Sequence, residues 1–319
     1  MISGETATVV DCRRQGRSHV RLKLRAPRMA QESLPGQFVN VRCTPLLHQS
    51  KAFESVADWM AYRRGAEWRK GTLLMRPFAL HRASNEGPEC GQVEILFKVV
   101  GTGTAALAER KPGDKIELLG PLGKGFDLEW CRKLSTAAVV AGGVGIAPLY
   151  PLIQHLRRHD VATLVIVGAM SEEDMPIEPA DSRVALSFMA TRPELTITAK
   201  ELEGLGCLVG IVTMTGTKGY VGLPTDMLDR FLHWTDSGAR GEAGVFTCGP
   251  VAMMREIARH CDEHELRCQV LLEERMGCGV GACMACTCRM RSDNGEVVRK
   301  RVCVDGPVFD GNEVAWDEI

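Results

Sequence analysis

Four of the 13 cysteines in this 319-residue chain have a spacing that suits an inorganic cluster. Cys278, Cys283 and Cys286 follow the pattern C-x4-C-x2-C, and Cys303 comes later in the chain. This is the plant-type pattern of a [2Fe-2S] cluster, in which four thiolates hold two irons bridged by two sulfides. The spacing therefore predicts an electron-carrying centre near the carboxyl end of the chain.

Three glycines in the same loop support this interpretation: Gly277, Gly279 and Gly281. They let the backbone bend around a cluster and turn its N–H groups toward the sulfurs. Cys288 lies two residues beyond Cys286, at a place that the plant-type pattern does not use, so we expect it to be a bystander. A structural zinc site is the alternative, but zinc usually shows paired C-x2-C knuckles and only one such pair exists here.

A glycine-rich joint between an apolar strand and a helix is the second candidate site. Residues 141–148 read AGGVGIAP and directly follow the apolar run Ala137–Ala141. The free N–H groups at such a joint suit a pyrophosphate. A related joint, Cys248-Gly249-Pro250, ends another predicted strand at the edge where ligands of open α/β sheets bind. The Cys248 side chain could face a cofactor there or be buried filler, and a simple tight turn is the alternative for the first joint.

The third candidate site combines an arginine at a strand end with a loop of glycines and threonines. Residues 76–82 read RPFALHR and residues 99–104 read VVGTGT. Together they can neutralise the phosphate of a dinucleotide, although each is weak evidence alone. His81 and Arg82 could be solvated strand residues, so an acid–base role for His81 is not favoured.

The first third of the chain, which must position the third site, is typical of a small antiparallel barrel. Turn signals at 34–37 (LPGQ) and 111–114 (KPGD) separate its strands. The predicted strands are Ala7–Asp11, His19–Leu24, Gln37–Arg42, Val93–Val100 and Lys115–Leu119. Residues 46–75 contain Trp59 and Trp68 and are predicted to be an insertion, helical around Phe53–Arg64.

The middle third alternates strands with helices, which indicates a parallel sheet with helices on both faces. The predicted strands are Ala137–Ala141, Val161–Gly168, Val184–Met189, Cys207–Met214 and Gly244–Cys248. The predicted helices are Pro148–Arg158, Pro224–His233 and Pro250–His264, the last with Pro250 at its first position.

The fold class predicted from these patterns is a β barrel plus an α/β domain, with a small third domain. We expect a barrel domain at 1–128, an α/β domain at 129–266 and a cysteine-rich domain at 267–319. The last is too short for an apolar core of its own, so a cluster is expected to hold it together.

Composition argues against two classes of partner, nucleic acid and an anionic membrane, unless a local basic patch binds them. Apolar residues make up 45% and charged residues 25%, and the net charge of −1 gives no overall field to hold nucleic acid or an anionic membrane. The first residues contain no secretory signal, and no run of about 18 apolar residues occurs. We therefore expect a cytosolic protein with reduced thiols, in which the scattered cysteines are small buried residues. They are Cys12, Cys43, Cys90, Cys131, Cys207, Cys248, Cys261 and Cys268.

Taken in chain order, the motifs resemble the ferredoxin–NADP reductase superfamily with an appended C-terminal iron–sulfur domain. Within it, the chain is most similar to the family of electron-transfer subunits of NAD-dependent, type B dihydroorotate dehydrogenase. The stretches that carry the resemblance are RPFALHRA (76–83), FKVVGTGT (97–104), KPGDKIELLGPLGKGF (111–126), AGGVGIAPL (141–149), TGTKGYVG (215–222), EERMGCGVGACMAC (273–286) and VCVDGPVF (302–309). It covers nearly the whole chain apart from the insertion at 46–75.

The resemblance implies a role for each set of candidate residues. Those expected at FAD are Arg76, Pro77, Phe78, Ala79, Leu96, Phe97, Lys98, Gly103 and Thr104. Those expected at NAD are Gly142, Gly143, Gly145, Cys248, Gly249 and Pro250. The expected cluster ligands are Cys278, Cys283, Cys286 and Cys303. Many family members have serine where this chain has Ala79, so a hydroxyl that could tune the flavin is missing here.

The segment after the second α/β strand predicts NAD rather than NADP. It contains Met170, Ser171, Glu172 and Glu173 and no arginine to pair with the extra phosphate of NADP.

These three cofactors differ in how they carry electrons. A nicotinamide exchanges a hydride, a [2Fe-2S] cluster one electron, and a flavin can do both. The resemblance implies electron flow from the FMN of a dihydroorotate dehydrogenase catalytic subunit, through the cluster and FAD, to NAD⁺ in pyrimidine biosynthesis. It further implies a heterotetramer with that subunit, no nucleic-acid or membrane partner, and no catalytic acid or base in this chain.

Two alternatives stay open at this point. A reductase of the same architecture could serve another partner, such as a ferredoxin, a hydrogenase or a sulfide-linked complex. A zinc-stapled binding module without flavin would be colourless, which distinguishes it from both electron-transfer hypotheses.

Overall fold

A computed structural model describes residues 3–44, 74–185, 195–236, 242–292 and 294–319. The insertion predicted at 46–75, with its helix and both tryptophans, lies outside these ranges except for Leu74 and Met75.

In chain order the strands are β1 (Ser3–Gln15), β2 (His19–Arg25), β3 (Phe38–Val41), β4 (Arg76–Ala79), β5 (Arg82–Ser84), β6 (Gln92–Lys98), β7 (Lys115–Leu122), β8 (Thr136–Gly142), β9 (Ala162–Ala169), β10 (Pro179–Ala185), β11 (Leu195–Ala199), β12 (Leu208–Thr213), β13 (Tyr220–Val221), β14 (Ala243–Cys248), β15 (Cys268–Leu271), β16 (Thr287–Arg291), β17 (Val297–Arg301) and β18 (Val308–Asp310). The helices are α1 (Pro27–Glu32), α2 (Thr102–Ala108), α3 (Leu128–Cys131), α4 (Ile146–Arg158), α5 (Lys200–Glu203), α6 (Pro224–Asp236) and α7 (Val251–Glu263).

The first seven strands form one antiparallel sheet in the order β4-β3-β7-β1-β2-β6-β5. In β7 every second residue, including Ile116, Leu118 and Leu122, turns into the core, as the period of a half-buried strand requires. The five strands predicted for the barrel are therefore confirmed, and the sheet curls as a half-barrel.

The second large sheet has the order β13-β12-β9-β8-β14-β15-β18 and is parallel except for the β15–β18 pair. Helix α4 covers one face together with Ala137 and Val139, whereas α6 and α7 cover the other together with Ala138 and Val140. This confirms the prediction of a parallel sheet with helices on both faces. The strand order reverses between β8 and β14, and open α/β sheets bind ligands at such a switch point.

Several element boundaries differ from those predicted. Helix α4 begins at Ile146, so Pro148 lies within its first turn, and Pro250 is the N-cap of α7 rather than its first helical residue. Of the strand predicted at Val184–Met189, the first two residues belong to β10, and 186–189 lie outside the described residues.

Residues 267–319 do not build a separate core. Cys288 and Met290 of the β16–β17 hairpin belong to the same core cluster as Ile257 of α7 and Phe309 of β18. Strands β15 and β18 belong to the α/β sheet. The division of the chain at 128 and 266 stays a proposal, and this sheet takes in two strands from beyond residue 266.

The prediction that the scattered cysteines are buried is wrong for three of them. The Cys90 side chain is exposed, and Cys12 and Cys207 are half-buried, whereas the other five scattered cysteines are buried as predicted. His81, for which a solvated position was one possibility, is fully buried and packs against the Tyr150 ring of α4 with centroids 4.6 Å apart. None of the helices in the described ranges is long and apolar enough to cross a membrane.

Candidate functional site

A cavity of about 480 Å³ lies where the antiparallel sheet, the start of α4 and the segment after β15 meet. The structure brings every residue predicted at FAD to its wall: Arg76, Pro77, Phe78, Ala79, Leu96, Phe97, Lys98, Gly103 and Thr104. Three motifs that are separate in the sequence therefore share one site. Its volume lies in the usual range for cofactor pockets, about 300–1,000 Å³.

The cavity wall is chemically suited to a flavin dinucleotide. Phe78 of β4 and Phe97 of β6 meet edge to face, with ring centroids 5.4 Å apart, and so give the wall an aromatic surface. Arg76 donates only a long 3.4 Å hydrogen bond to the Leu74 carbonyl and has no ion pair with any residue that the structure describes. Its guanidinium is therefore available to a phosphate. FAD binding by these residues stays a prediction.

The cavity also has walls that the sequence analysis did not assign. They are Gly36, Phe38, Val100, Gly101, Thr102, Val144, Ala147, Pro148, Leu271, Leu272, Glu273, Glu274, Met276 and Pro307. Val144 and Pro148 belong to the glycine joint, and the Glu-Glu-Arg-Met stretch directly precedes the cysteine loop. Their closeness in sequence to predicted sites could have indicated that these residues line the cavity. Phe38 and Pro307 had no such signal.

The two predicted dinucleotide joints contact each other at the switch point between β8 and β14. A Cβ atom on Gly145 would lie 2.2 Å from the Cys248 carbonyl oxygen, and one on Gly249 would lie 2.8 Å from the Gly142 Cα. Only glycine permits this approach, which leaves the loop of 142–145 against the start of α7.

The Cys248 side chain is placed as a packing residue. It is fully buried in the core cluster on the α4 face and is not part of the cavity wall. Burial, and then the charge of Glu273, raise the pKa of the Cys248 thiol well above its usual value. Its peptide group, rather than its thiol, is what meets the glycine joint.

The acidic segment after β9 is held by a second loop. The Glu172 backbone N–H donates to Thr217 Oγ1 at 2.9 Å, and Lys218 Nζ lies 3.3 Å from the Glu172 carboxylate. The sequence near Glu172 has no cation, but the fold brings one from 46 positions along the chain. The preference for NAD over NADP stays a prediction.

The cysteine loop stabilises a thiolate at its first ligand position. The Cys278 sulfur accepts backbone N–H groups of Val280 and Cys283 at 3.4 Å each. These hydrogen bonds lower the pKa of the Cys278 thiol from 9.0 to about 6. Thiolates are the form that binds metal, so the backbone of this loop suits a cluster ligand.

The four predicted ligands interact with one another. Cys278 interacts with Cys283 on the outside of the loop, Cys286 interacts with Cys303, which are both buried, and the charge of Cys278 also acts on Cys303. In the described ranges no three metal-binding side chains lie close enough together to hold one ion. Ligation by these residues stays a prediction.

Cys288 is held differently from these four cysteines. Its thiol is buried and contacts the Lys300 carbonyl oxygen at 3.5 Å across the β16–β17 hairpin. Burial raises the pKa of this thiol to about 11, which disfavours the thiolate. Its predicted role as a bystander is consistent with this placement.

The sequence of the chain is similar to those of proteins that share one name. Residues 273–315 match the model of the iron–sulfur cluster binding domain of dihydroorotate dehydrogenase B. The electron transfer subunit of dihydroorotate dehydrogenase B (NAD(+)) from Desulforamulus reducens is 33% identical over 292 residues, covering 92% of this chain and 90% of the relative. The subunit of the same name from Bacillus cereus is 31% identical over 314 residues, covering 98% and 99%.

A solved structure resembles nearly the whole chain. It is that of an NADH-dependent reduced ferredoxin–NADP oxidoreductase, studied for flavin-based electron bifurcation. The TM-score is 0.70 at 25% identity, and the alignment covers 98% of this chain and 90% of that chain.

Proposed function

Because the chain belongs to the family of electron transfer subunits of dihydroorotate dehydrogenase B, we propose that it links dihydroorotate oxidation to NAD⁺ in pyrimidine biosynthesis. Electrons leave the FMN of a separate catalytic subunit and pass through a [2Fe-2S] cluster and FAD of this chain to NAD⁺. The observation that carries the proposal is the shared cavity. Val144 of the dinucleotide joint and Met276, two residues before Cys278, line the same cavity as the predicted FAD residues.

When bound, the nicotinamide supplies hydride transfer, the flavin transfer of one or two electrons, and the cluster transfer of one. The chain supplies binding and orientation. Arg76 pairs with a phosphate of FAD, and Phe78 and Phe97 form an apolar wall that excludes water from the ring. The proposed electron transfer requires no general acid or base from this chain.

The glycine joints bind the NAD pyrophosphate. Their N–H groups lie at the start of α4 and at the end of β14, beside the cavity. Glu172 favours NAD because its carboxylate repels the extra phosphate of NADP and engages Lys218. We place this reaction in the cytosol, where thiols stay reduced.

The outer pair of cysteines faces the catalytic subunit. Cys283 is exposed, and Met284 and Val280 beside it are 52% and 36% exposed, so this end of the loop offers an apolar patch around a ligand. We propose that the catalytic subunit covers this patch in a heterotetramer of two subunits of each kind.

A purified, oxygen-free preparation tests the pathway within the chain. We expect bound flavin, a reducible cluster visible by spin resonance, and reduction of both by NADH. Gly145→Ala should block reduction by NADH but leave the flavin bound, because the added Cβ would overlap the Cys248 carbonyl. Gly204→Ala, whose Cβ meets no atom within 4 Å, is the matched control. A chain that binds neither flavin nor cluster would contradict the proposal.

A second candidate function is reduction of a ferredoxin. It is favoured by the similarity to the NADH-dependent ferredoxin–NADP oxidoreductase over nearly the whole chain. Co-purification separates the two candidates, since the first predicts an FMN-bearing protein bound to this chain and the second predicts none.

A further inference from the structure

Asn40 joins the antiparallel sheet to the cysteine loop across a long stretch of sequence. Its side chain, in β3, is only 3% exposed, and Nδ2 donates to the carbonyl oxygen of Cys278 at 3.0 Å. Its Oδ1 is buried and has no hydrogen-bond partner in the described part of the chain. A buried, half-satisfied amide costs free energy that an apolar side chain of similar shape would avoid. The amide therefore needs a role other than stability.

The position of Asn40 relates it to the cavity. Phe38 and Asn40 share one face of β3, and Phe38 lines the cavity. Across the ladder, Asn40 is the partner of Pro77, which also lines the cavity. Asn40 thus pairs with a residue of the predicted flavin site and is hydrogen-bonded to a residue that is expected to ligate the cluster.

The loop backbone lies directly on this amide. Gly279 has φ +73°, and a Cβ atom there would lie 2.2 Å from Asn40 Nδ2. The next residue, Val280, supplies one of the two N–H groups that the Cys278 sulfur accepts. Asn40 therefore holds the peptide group between Cys278 and Gly279 in place, next to the residue that supplies the Val280 N–H group.

We propose that Asn40 is a positioning residue that docks the cysteine loop onto the flavin-binding strand and thereby sets the cluster's reduction potential and its rate of electron exchange with FAD. This inference rests on the proposed function. In the step concerned, one electron leaves the reduced flavin and reduces the cluster, and no bond to Asn40 forms or breaks. Hydrogen bonds to cluster sulfurs stabilise the reduced state, so a loosened loop lowers the potential.

Asn40→Leu tests the inference, because it removes the amide but keeps a similar branched shape. In the full chain with both cofactors bound, we expect NADH to reduce the flavin at the unchanged rate. The following reduction of the cluster should be about tenfold slower, as is typical when a residue supporting a metal ligand is lost. The midpoint potential of the cluster, measured by spin resonance during a redox titration, should fall.

Gln37→Leu is the matched control. Gln37 directly precedes the same strand and donates an amide hydrogen bond to the Gly123 carbonyl at 2.9 Å rather than to the cysteine loop. It should leave both the cluster's potential and its rate of reduction unchanged. A rate of cluster reduction for Asn40→Leu within twofold of that of the unsubstituted chain, together with an unchanged midpoint potential, would overturn the inference. An equal effect of Gln37→Leu would also overturn it.

A second variant tests the contact without electron transfer. Asn40→Ser should speed hydrogen exchange of the peptide 277–286 about tenfold relative to the unsubstituted chain, whatever partner or substrate the chain serves. Unchanged exchange would overturn the docking role even if Asn40→Leu does not fold. Failure of NADH to reduce the flavin in the unsubstituted chain would instead count against the proposed function.

Discussion

Replacing Glu201 by glutamine should weaken the contact between the antiparallel sheet and the α/β unit by about 3 kcal/mol. Glu201 lies on α5, and its Oε2 accepts hydrogen bonds from Arg21 Nη1 at 2.9 Å and Arg82 Nη2 at 3.1 Å. It also lies 3.2 Å from His81 Nε2. Arg21 and Glu201 are 8% and 10% exposed, so water screens this ion pair little.

The magnitude follows from the pKa of Glu201. Burial alone would raise this pKa, but hydrogen bonds and charge from His81 and Arg21 outweigh burial and lower it from 4.5 to about 2. One pKa unit equals about 1.4 kcal/mol, so the difference corresponds to about 3 kcal/mol at neutral pH. Loss of one partner from a buried ion pair typically costs about 3–5 kcal/mol, and because Arg21 keeps its 2.7 Å ion pair with Glu94, the loss here should lie at the lower end of that range.

The pH dependence has a definite sign. Because the folded pKa lies below the unfolded value of 4.5, the stabilisation is complete above that value and disappears as the pH falls toward about 2. The difference in stability between the unsubstituted chain and Glu201→Gln should therefore be constant at neutral pH. It should shrink only as the pH falls below about 5.

Urea unfolding followed by circular dichroism measures this difference. Glu203→Gln, on the exposed side of the same helix, is the control and should cost less than about 0.5 kcal/mol. A loss below about 1 kcal/mol for Glu201→Gln, or a difference that varies between neutral and mildly acidic pH, would refute the reasoning.

Three further outcomes are expected at the cofactor sites. Arg76→Leu should weaken FAD binding about tenfold or more, because a charge-assisted hydrogen bond is lost; flavin retained through gel filtration as in the unsubstituted chain would contradict this. Cys303→Ser should abolish the spin-resonance signal of the cluster while Cys288→Ser keeps it, and loss of the signal in both would mean that Cys288 is needed. Glu172→Gln should raise the ratio of NADPH to NADH oxidation about tenfold by removing a carboxylate that would repel the extra phosphate, and an unchanged ratio would count against a role for Glu172 in this selectivity.

The glycine joints and the cysteine spacing were predictable because their chemistry is local. Gly142–Gly145 needs only a preceding strand and a following helix to form an anion-binding turn. The C-x4-C-x2-C loop places three thiols in one short segment of the chain. Both patterns can be recognised in the sequence without knowledge of the tertiary structure.

Contacts between distant segments could not be predicted in the same way. Asn40 and Cys278 are 238 positions apart, and nothing in the sequence around Asn40 marks it as a contact of the cysteine loop. Glu201 reads as one acid among several on a short helix, although its contacts with Arg21 and Arg82 of the antiparallel sheet make it an ion-pair centre. A solvated His81 stayed possible because the local sequence does not reveal that Tyr150 and Glu201 pack against this side chain.

Dihydroorotate-dependent reduction of NAD⁺ is the measurement that tests the central claim most directly. The chain, loaded with FAD and cluster, is mixed without oxygen with the FMN-bearing catalytic subunit from the same cell, and NADH formation is followed after addition of dihydroorotate. The account predicts NADH formation only when both subunits are present, and none with Cys303→Ser. No NADH formation from the two loaded subunits together would contradict it.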